Sequence, residues 1–209
     1  AHEIRNPLNA IGMIAQRFKT EFSPKEDKAE YTQLATTMTN ETRRINAIIQ
    51  QFLEFARPAK YQYNPTDVKA LLLDVATLLR PEAQQKEVQV LCECEDLPLL
   101  SADADKLKQA FINLGQNAVD ACSPHDRVLF RCKAEQNAIR IEIQDTGKGI
   151  SQQELSKIFN LYYTTKENGT GIGLSIVQQI ISQHNGAVDV NSMLGQGSTF
   201  IITLPVNKN

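Results

Sequence analysis

The sequence predicts an α-helical hairpin that pairs with a second copy as a dimeric four-helix bundle, followed by an α+β sandwich. Three observations carry this reading. Two apolar seams at helical spacing run from the start of the chain to Pro58. Beyond Pro58 the apolar residues fall into short alternating runs set between amphipathic stretches. A glycine-rich irregular region, from about residue 145 to 173, then precedes a last helix and two strands.

The first seam is Ile4, Leu8, Ile11, Ala15, Phe18 and Phe22, spaced alternately by four and three. That is a heptad-like stripe on one side of a helix. Ser23-Pro24 breaks it. The second seam is Tyr31, Leu34, Met38, Ile45, Ile48, Phe52 and Phe55, with Glu41 off pattern, and it stops at Ala56-Arg57-Pro58. Proline has no amide hydrogen to continue a helix. Two helices joined by a short polar loop form an antiparallel hairpin. One hairpin with so narrow a seam cannot bury both faces, so the pattern predicts a homodimer.

The division expected is residues 1–58 for the hairpin, 59–66 for a linker and 67–209 for the second domain. In that domain residues 66–86 read as an amphipathic helix and 88–94 as an alternating strand. Residues 103–122 read as a helix with Asp103 as N-cap. Strands are expected at 128–133 and 138–144, a helix at 174–184, and strands at 187–191 and 199–204. Strands with helices able to cover one face make a two-layer sandwich.

Of the 209 residues, 42% are hydrophobic and 22% charged, with a formal net charge of −2. This is the composition of an ordinary globular chain. Neither side of Pro58 is basic enough for nucleic-acid binding through phosphate contacts. The four cysteines, Cys92, Cys94, Cys122 and Cys132, include no C-x-x-C pair and sit beside no histidine cluster. They read as reduced, partly buried thiols rather than metal ligands. No apolar run approaches the ~20 residues of a membrane span. The chain opens at Ala1-His2 without Met, which reads as an excised piece of a longer protein. Any membrane attachment would then come through parts of the parent outside this sequence.

Several residue groups carry chemistry. His2 and Asn6 lie four apart and share a helix face away from Ile4 and Leu8. A neutral exposed imidazole is a usable nucleophile toward ATP. Glu3 can take its ring proton, Asn6 can position a water, and Pro7 is expected to kink the helix there. Asn113 and Asn117 share one helix face and offer hard oxygen ligands suited to phosphate-bound Mg²⁺. Asp145, followed by Gly147 and Gly149, can accept from the exocyclic amine of adenine. Lys166 can reach a phosphate. Gly169, Gly171 and Gly173 precede Leu174 at a helix start, where free backbone N–H groups attract anions. Each group alone also has a plainer reading: a surface histidine beside a glutamate, exposed helix amides, a simple turn, a solvated lysine.

Their order is what joins them. His-Glu-Ile-Arg-Asn-Pro-Leu at 2–8 resembles the H box of sensor histidine kinases. Residues 111–118, Phe-Ile-Asn-Leu-Gly-Gln-Asn-Ala, resemble the N box. Asp145-Thr146-Gly147-Lys148-Gly149-Ile150 resembles the G1 box. Phe159 with Tyr162-Tyr163-Thr164-Thr165-Lys166 is similar to an F box, although Asn160-Leu161 departs from it, and 169–174 resembles the G2 box. The resemblance runs from His2 to Pro205. It implies the Bergerat (GHKL-type) ATP-binding fold, shared with gyrase-type and Hsp90-type ATPases. It implies phosphorylation of His2 with help from Glu3, and a phosphatase role for Asn6. Magnesium would be held at Asn117. Nucleotide contacts are implied at Asn113, Asn117, Asp145, Gly147, Gly149, Tyr162, Lys166, Gly169, Gly171, Gly173, Leu174 and Thr199, the last through a water to adenine. The family's ATP-hydrolysing relatives carry Glu where Asn113 stands, which favours transfer over hydrolysis. A mobile lid over 150–168 is expected. The implied partner is the receiver domain of a response regulator, and the implied location of the kinase core is cytoplasmic. His125 and His184 receive no catalytic role.

Overall fold

The structure is a computed structural model that describes residues 2–22, 24, 27–56, 61–166 and 169–206, with side chains described outside 2–7, 47, 48 and 50–56. Two compact units result: Ala1–Ala59 with Thr165–Ile172, and Lys60–Thr164 with Gly173–Asn209.

In the first unit, helix α1 (His2–Glu21) runs unbroken through Pro7, and α2 (Lys28–Ala56) returns beside it. Tyr31 Oη donates to the Phe18 carbonyl at 2.7 Å, and Asn46 Nδ2 donates to Asn9 Oδ1 at 3.3 Å. A Cβ added to Gly12 would stand 3.2 Å from the Thr42 methyl. These three contacts step in opposite directions along the two helices, so the hairpin is antiparallel. Among the described residues its buried side chains are small: Ala15, Ala35, Thr39 and Thr42. The threonines donate to Ala35 and Met38 one turn back, which satisfies their hydroxyls. The bulky seam residues Ile11, Phe18, Phe22, Leu34, Met38 and Ile45 remain exposed, Leu34 at 61%, and so does Ile14 outside the seam.

The second unit begins with a short strand, β1 (Asn64–Thr66), within the stretch expected to be linker. Helix α3 (Val68–Gln85) follows, capped by Asp67, whose side chain accepts from Ala70 N. Then come β2 (Gln89–Cys94), β3 (Leu100–Ala102) and α4 (Ala104–Ala121). Asp103 caps α4 as expected, its Oδ1 accepting from Lys106 N at 3.1 Å. Strands β4 (Arg127–Glu135) and β5 (Ala138–Asp145), the one-turn helix α5 (Gln152–Leu155), helix α6 (Gly173–Gln183), and strands β6 (Ala187–Met193) and β7 (Gly197–Pro205) complete the unit.

β1 and β3 pair antiparallel, while the main sheet has the order β2-β4-β5-β7-β6, with β2–β4 parallel and the rest antiparallel. On β5 alternate residues are buried: Ile139, Ile141, Ile143 and Asp145. One face therefore packs under helices, and Leu72, Leu107, Phe111, Leu114, Phe130, Ile181 and Ile202 fill the layer between.

Cys92 and Cys94 share one strand face as expected, their sulfurs 3.7 Å apart. The expectation of reduced thiols fails for one pair: Cys94 and Cys132 lie in register across β2 and β4 and are joined by a disulfide. The parallel pairing of segments 38 residues apart is invisible in linear spacing. Among the described residues no helix is long and apolar enough to cross a membrane.

Candidate nucleotide site

Strand β5 delivers Asp145 to the buried face of the sheet's end, where it is 3% exposed. Its Oδ1 accepts from the backbone N–H groups of Gly147, at 3.0 Å, and Ser198, at 3.2 Å. Burial pushes the carboxyl above the ordinary carboxylate range, those donors pull it back, and the nearby Asp126 charge pushes it up again. A carboxylate fixed on one oxygen in this way has its other oxygen for a ligand's N–H.

The loop after Asp145 is held by glycines that no other residue can replace without movement. A Cβ on Gly147 would lie 2.2 Å from the Ala121 carbonyl at the end of α4, and Lys148 N donates to the same carbonyl at 3.0 Å. Gly149 has φ +69°, and its Cβ would meet the Met193 carbonyl at 2.1 Å. From the other side Thr146 Oγ1 donates to Asp126 Oδ1 at 2.7 Å. Cys122 lies near these carboxylates, and burial is the main reason its thiol is pushed up to about 11. That keeps it protonated and unreactive at neutral pH.

Asn113 and Asn117 are half-buried and one turn apart on α4, beside the buried row of Leu114 and Ala118. Asn113 Nδ2 approaches the Gly173 carbonyl at 3.4 Å, so α4 meets the first residue of α6 here. Gly173 and Leu174 form that helix start, where the first backbone N–H groups have no partner inside the helix. The amides of Asn113 and Asn117 supply oxygen ligands of the kind a phosphate-bound Mg²⁺ takes. Among the described residues no cluster of three or more His, Cys, Asp or Glu side chains would hold a metal by itself.

Tyr162 is 55% exposed and adopts φ +67°, a conformation that costs a non-glycine residue about 1 kcal/mol or more. Lys166, Gly169 and Gly171 belong to Thr165–Ile172 of the first unit. There Gly169 N donates to the Lys166 carbonyl at 3.1 Å, and Gly171 has φ +68°. The structure thus brings together Asp145, Gly147 and Gly149, and separately Asn113 with Gly173. Lys166, Gly169 and Gly171 are described with the other unit.

Thr199 stands one residue off the Asp145 position. It pairs with Gln144 and Asn191, whereas Ser198 pairs with Asp145. Successive strand side chains take opposite faces, so Ser198, not Thr199, shares Asp145's buried face. Both hydroxyls are in the same tetrapeptide, and only the register with β5 separates them. Helix α5 was also missed, although Ser151 and Glu154 form the reciprocal capping box that the sequence pattern S-x-x-E announces.

His2, Glu3 and Asn6 occupy the first turns of α1, and their side chains lie outside those described. A concavity of about 540 Å³ at the far end of the sheet includes Glu93, Arg131, Lys133, Arg140 and Glu142 in its lining and contains no expected site residue. Its charges are already matched, Arg131 to Glu93 at 3.1 Å and Arg140 to Glu142 at 2.8 Å.

Residues 102–208 match the family model described as histidine kinase-, DNA gyrase B-, and HSP90-like ATPase, and residues 1–60 match the His Kinase A (phospho-acceptor) domain. The chain is 38% identical over 208 residues to the sensor histidine kinase ZraS of Escherichia coli (strain K12), covering 99% of this chain and 44% of that protein. It is 34% identical over 211 residues to sporulation kinase E of Bacillus subtilis (strain 168), covering all of this chain and 28% of that protein. It therefore spans less than half the length of these relatives. Full-length ShkA in complex with AMPPNP superposes with a TM-score of 0.82 at 28% identity, over 100% of this chain and 45% of that one. Histidine kinase ThkA, solved with response regulator protein TrrA, gives 0.74 at 26% identity, over 99% of this chain and 60% of that one. A phospho-acceptor domain followed by an ATPase domain of this kind places the chain in the histidine kinase family.

Proposed function

We propose that the chain is the ATP-dependent kinase core of a two-component sensor, with His2 as the phosphoryl acceptor. The His2 imidazole attacks the γ-phosphorus of ATP, the bond to the β,γ-bridging oxygen breaks, and ADP leaves. Glu3 takes the ring proton. The phosphoryl group then passes from the imidazole nitrogen to an aspartate carboxylate on a response regulator receiver domain. The complex of ThkA with a response regulator supports a partner of that class. Asn6 orients a water for the reverse, dephosphorylating task.

In this reading Asp145 accepts from the adenine amine, with Gly147 and Gly149 letting the backbone approach the base. Asn113 and Asn117 lie beside the phosphates, and Asn117 is the residue that would hold Mg²⁺, which supplies charge neutralisation for the transfer. Gly169, Gly171, Gly173, Leu174, Lys166 and Tyr162 belong to the phosphate end and its covering loop. Thr199 is set aside in favour of Ser198 as the hydroxyl beside adenine. Residues 1–58 form the phosphotransfer hairpin and 67–209 the catalytic domain. Of the expected linker 59–66, residues 61–66 are fastened to the latter, through Gln62 N to Asp103 Oδ2 at 2.9 Å and the β1–β3 pair. The exposed Ile11, Ile14, Phe18, Leu34, Met38 and Ile45 are the surface a second copy covers in a homodimer. An ATP-consuming core of this kind works on the cytoplasmic side.

The observation that carries the reading is Asp145: a buried carboxylate held by two backbone donors at the opening of a glycine loop, in a chain matched by both family models. Incubation with γ-labelled ATP tests it. Acid-labile, alkali-stable label is expected on the wild type and none on His2→Gln. Label on serine, or nucleotide binding without label, would reject it.

A further inference from the structure

Asp145 is wired to the β6–β7 hairpin through two serines. Ser192 Oγ accepts from Ile150 N at 2.8 Å and lies 2.9 Å from both the Gly197 carbonyl and Ser198 Oγ. Ser198 meets Asp145 with its backbone N–H, which belongs to the same peptide as the Gly197 carbonyl. The hairpin and the loop are pressed together on both sides of this chain. A Cβ on Gly149 would strike the Met193 carbonyl, and one on Gly197 would lie 2.0 Å from the Asp145 carbonyl. Gly195 N closes the clasp on the Lys148 carbonyl at 2.8 Å.

Each serine has one hydroxyl hydrogen and two lone pairs. Ser192 gives its own to the Gly197 carbonyl, so the hydrogen between the two serines comes from Ser198. The Gly197 carbonyl and the Ser198 N–H are one peptide, and that N–H donates to Asp145. The route therefore runs Ile150 N–H to Ser192, Ser192 O–H to the Gly197 carbonyl, and Ser198 N–H to Asp145. Each bond polarises the next.

We propose that Ser192, which need touch no ligand, is a positioning residue for adenine recognition: its hydroxyl holds the Gly197–Ser198 peptide whose N–H meets Asp145, and fixes the backbone at Ile150, where residues 150–164 begin. This rests on the reading that Asp145 accepts from the exocyclic amine. Ser192 is only half-buried, so its replacement by Ala leaves no large void.

The test compares binding of ATP with purine riboside triphosphate, which lacks the amine, to the whole chain and its variants. Ser192→Ala should weaken ATP about five- to tenfold, the size of one lost hydrogen bond, and leave the amine-free analogue nearly unchanged. Ser192→Thr, which keeps the hydroxyl, should restore most of the ATP affinity. Equal weakening of both nucleotides, or of neither, overturns the proposal. Asp145→Asn is the arm that separates the two ideas. If it does not erase the preference for ATP, the adenine reading fails and takes the proposal with it. If it does while Ser192→Ala has no selective effect, the reading stands and only the Ser192 role falls.

Discussion

The backbone N–H of Asp103 donates to Nε2 of His184 at 3.0 Å, joining the N-cap of α4 to the residue that follows α6. His184 is buried, and its Nδ1 lies 2.7 Å from the Ile180 carbonyl, so the ring carries its hydrogen on Nδ1 and keeps Nε2 as acceptor. Tyr61 and Tyr63 stand edge-on to the same ring at 5.6 and 5.4 Å, and Tyr63 Oη donates to the Gln183 carbonyl. A histidine that reads as a helix-end residue in the sequence is thus the pin that fastens residues 61–63 to the rest of the second unit. His184→Ala strands the Asp103 N–H and should lower stability by about 2–3 kcal/mol. The urea midpoint followed by tyrosine fluorescence measures it.

Asp145 should trade stability for binding. Burial raises its carboxyl above the ordinary value, so its contribution to stability is fully present only below the unfolded carboxylate range. That contribution is lost as pH rises through the folded value. At neutral pH the ionised group is a burden on the unliganded fold. Asn keeps an oxygen for the N–H groups of Gly147 and Ser198. Asp145→Asn should therefore raise the thermal midpoint at neutral pH while abolishing ATP binding. The gain should shrink as pH is lowered toward the ordinary carboxylate range. Calorimetry across pH checks the sign.

Glycines at positive φ are not equivalent. Gly195 has φ +77° but nothing within 4 Å of a Cβ, so Gly195→Ala meets only backbone strain, about 1–2 kcal/mol. Gly197 has φ +91° and the Asp145 carbonyl at 2.0 Å. Gly197→Ala should cost distinctly more and should also weaken ATP binding, because the contact is with Asp145 itself. Paired urea titrations and nucleotide titrations separate the two.

Local sequence pattern placed most of this fold, because helix periods, the Asp103 cap and strand alternation are short-range properties. The H, N and glycine segments were legible through their resemblance, in order, to the family's boxes. What failed needed long-range register. Ser198 and Thr199 are indistinguishable until β7 is laid against β5, and Cys94 meets Cys132 only in the parallel β2–β4 pair. β1 and β3 are three residues each and form only through each other, so neither had a periodic signature. His184 reads as a helix-end residue until Asp103, 81 positions away, comes to it. The outward stance of Phe18 and Leu34 follows from a hairpin closed by alanine and threonine, which a search for large apolar residues passes over.

Gly115 gives the last prediction, since a glycine inside a helix costs ~1 kcal/mol against alanine and must be justified by packing. An added Cβ would lie 2.5 Å from Leu79 Cδ1 and 2.8 Å from Phe130 Cζ. Both neighbours are buried, so α4 approaches α3 and β4 only because the side chain is absent. Gly115→Ala gains helix propensity but overpacks the layer by about 1–3 kcal/mol, for a net loss of up to about 2 kcal/mol. The Leu79 contact is the closer one and ends in a movable methyl, while Phe130 is rigid. In a Leu79→Ala background half of the clash is gone, and Gly115→Ala should there be close to neutral or stabilising. A double-mutant cycle in urea should therefore show a coupling of at least about 1 kcal/mol between positions 79 and 115. Simple additivity would mean that the close approach of the two helices is not what requires the glycine.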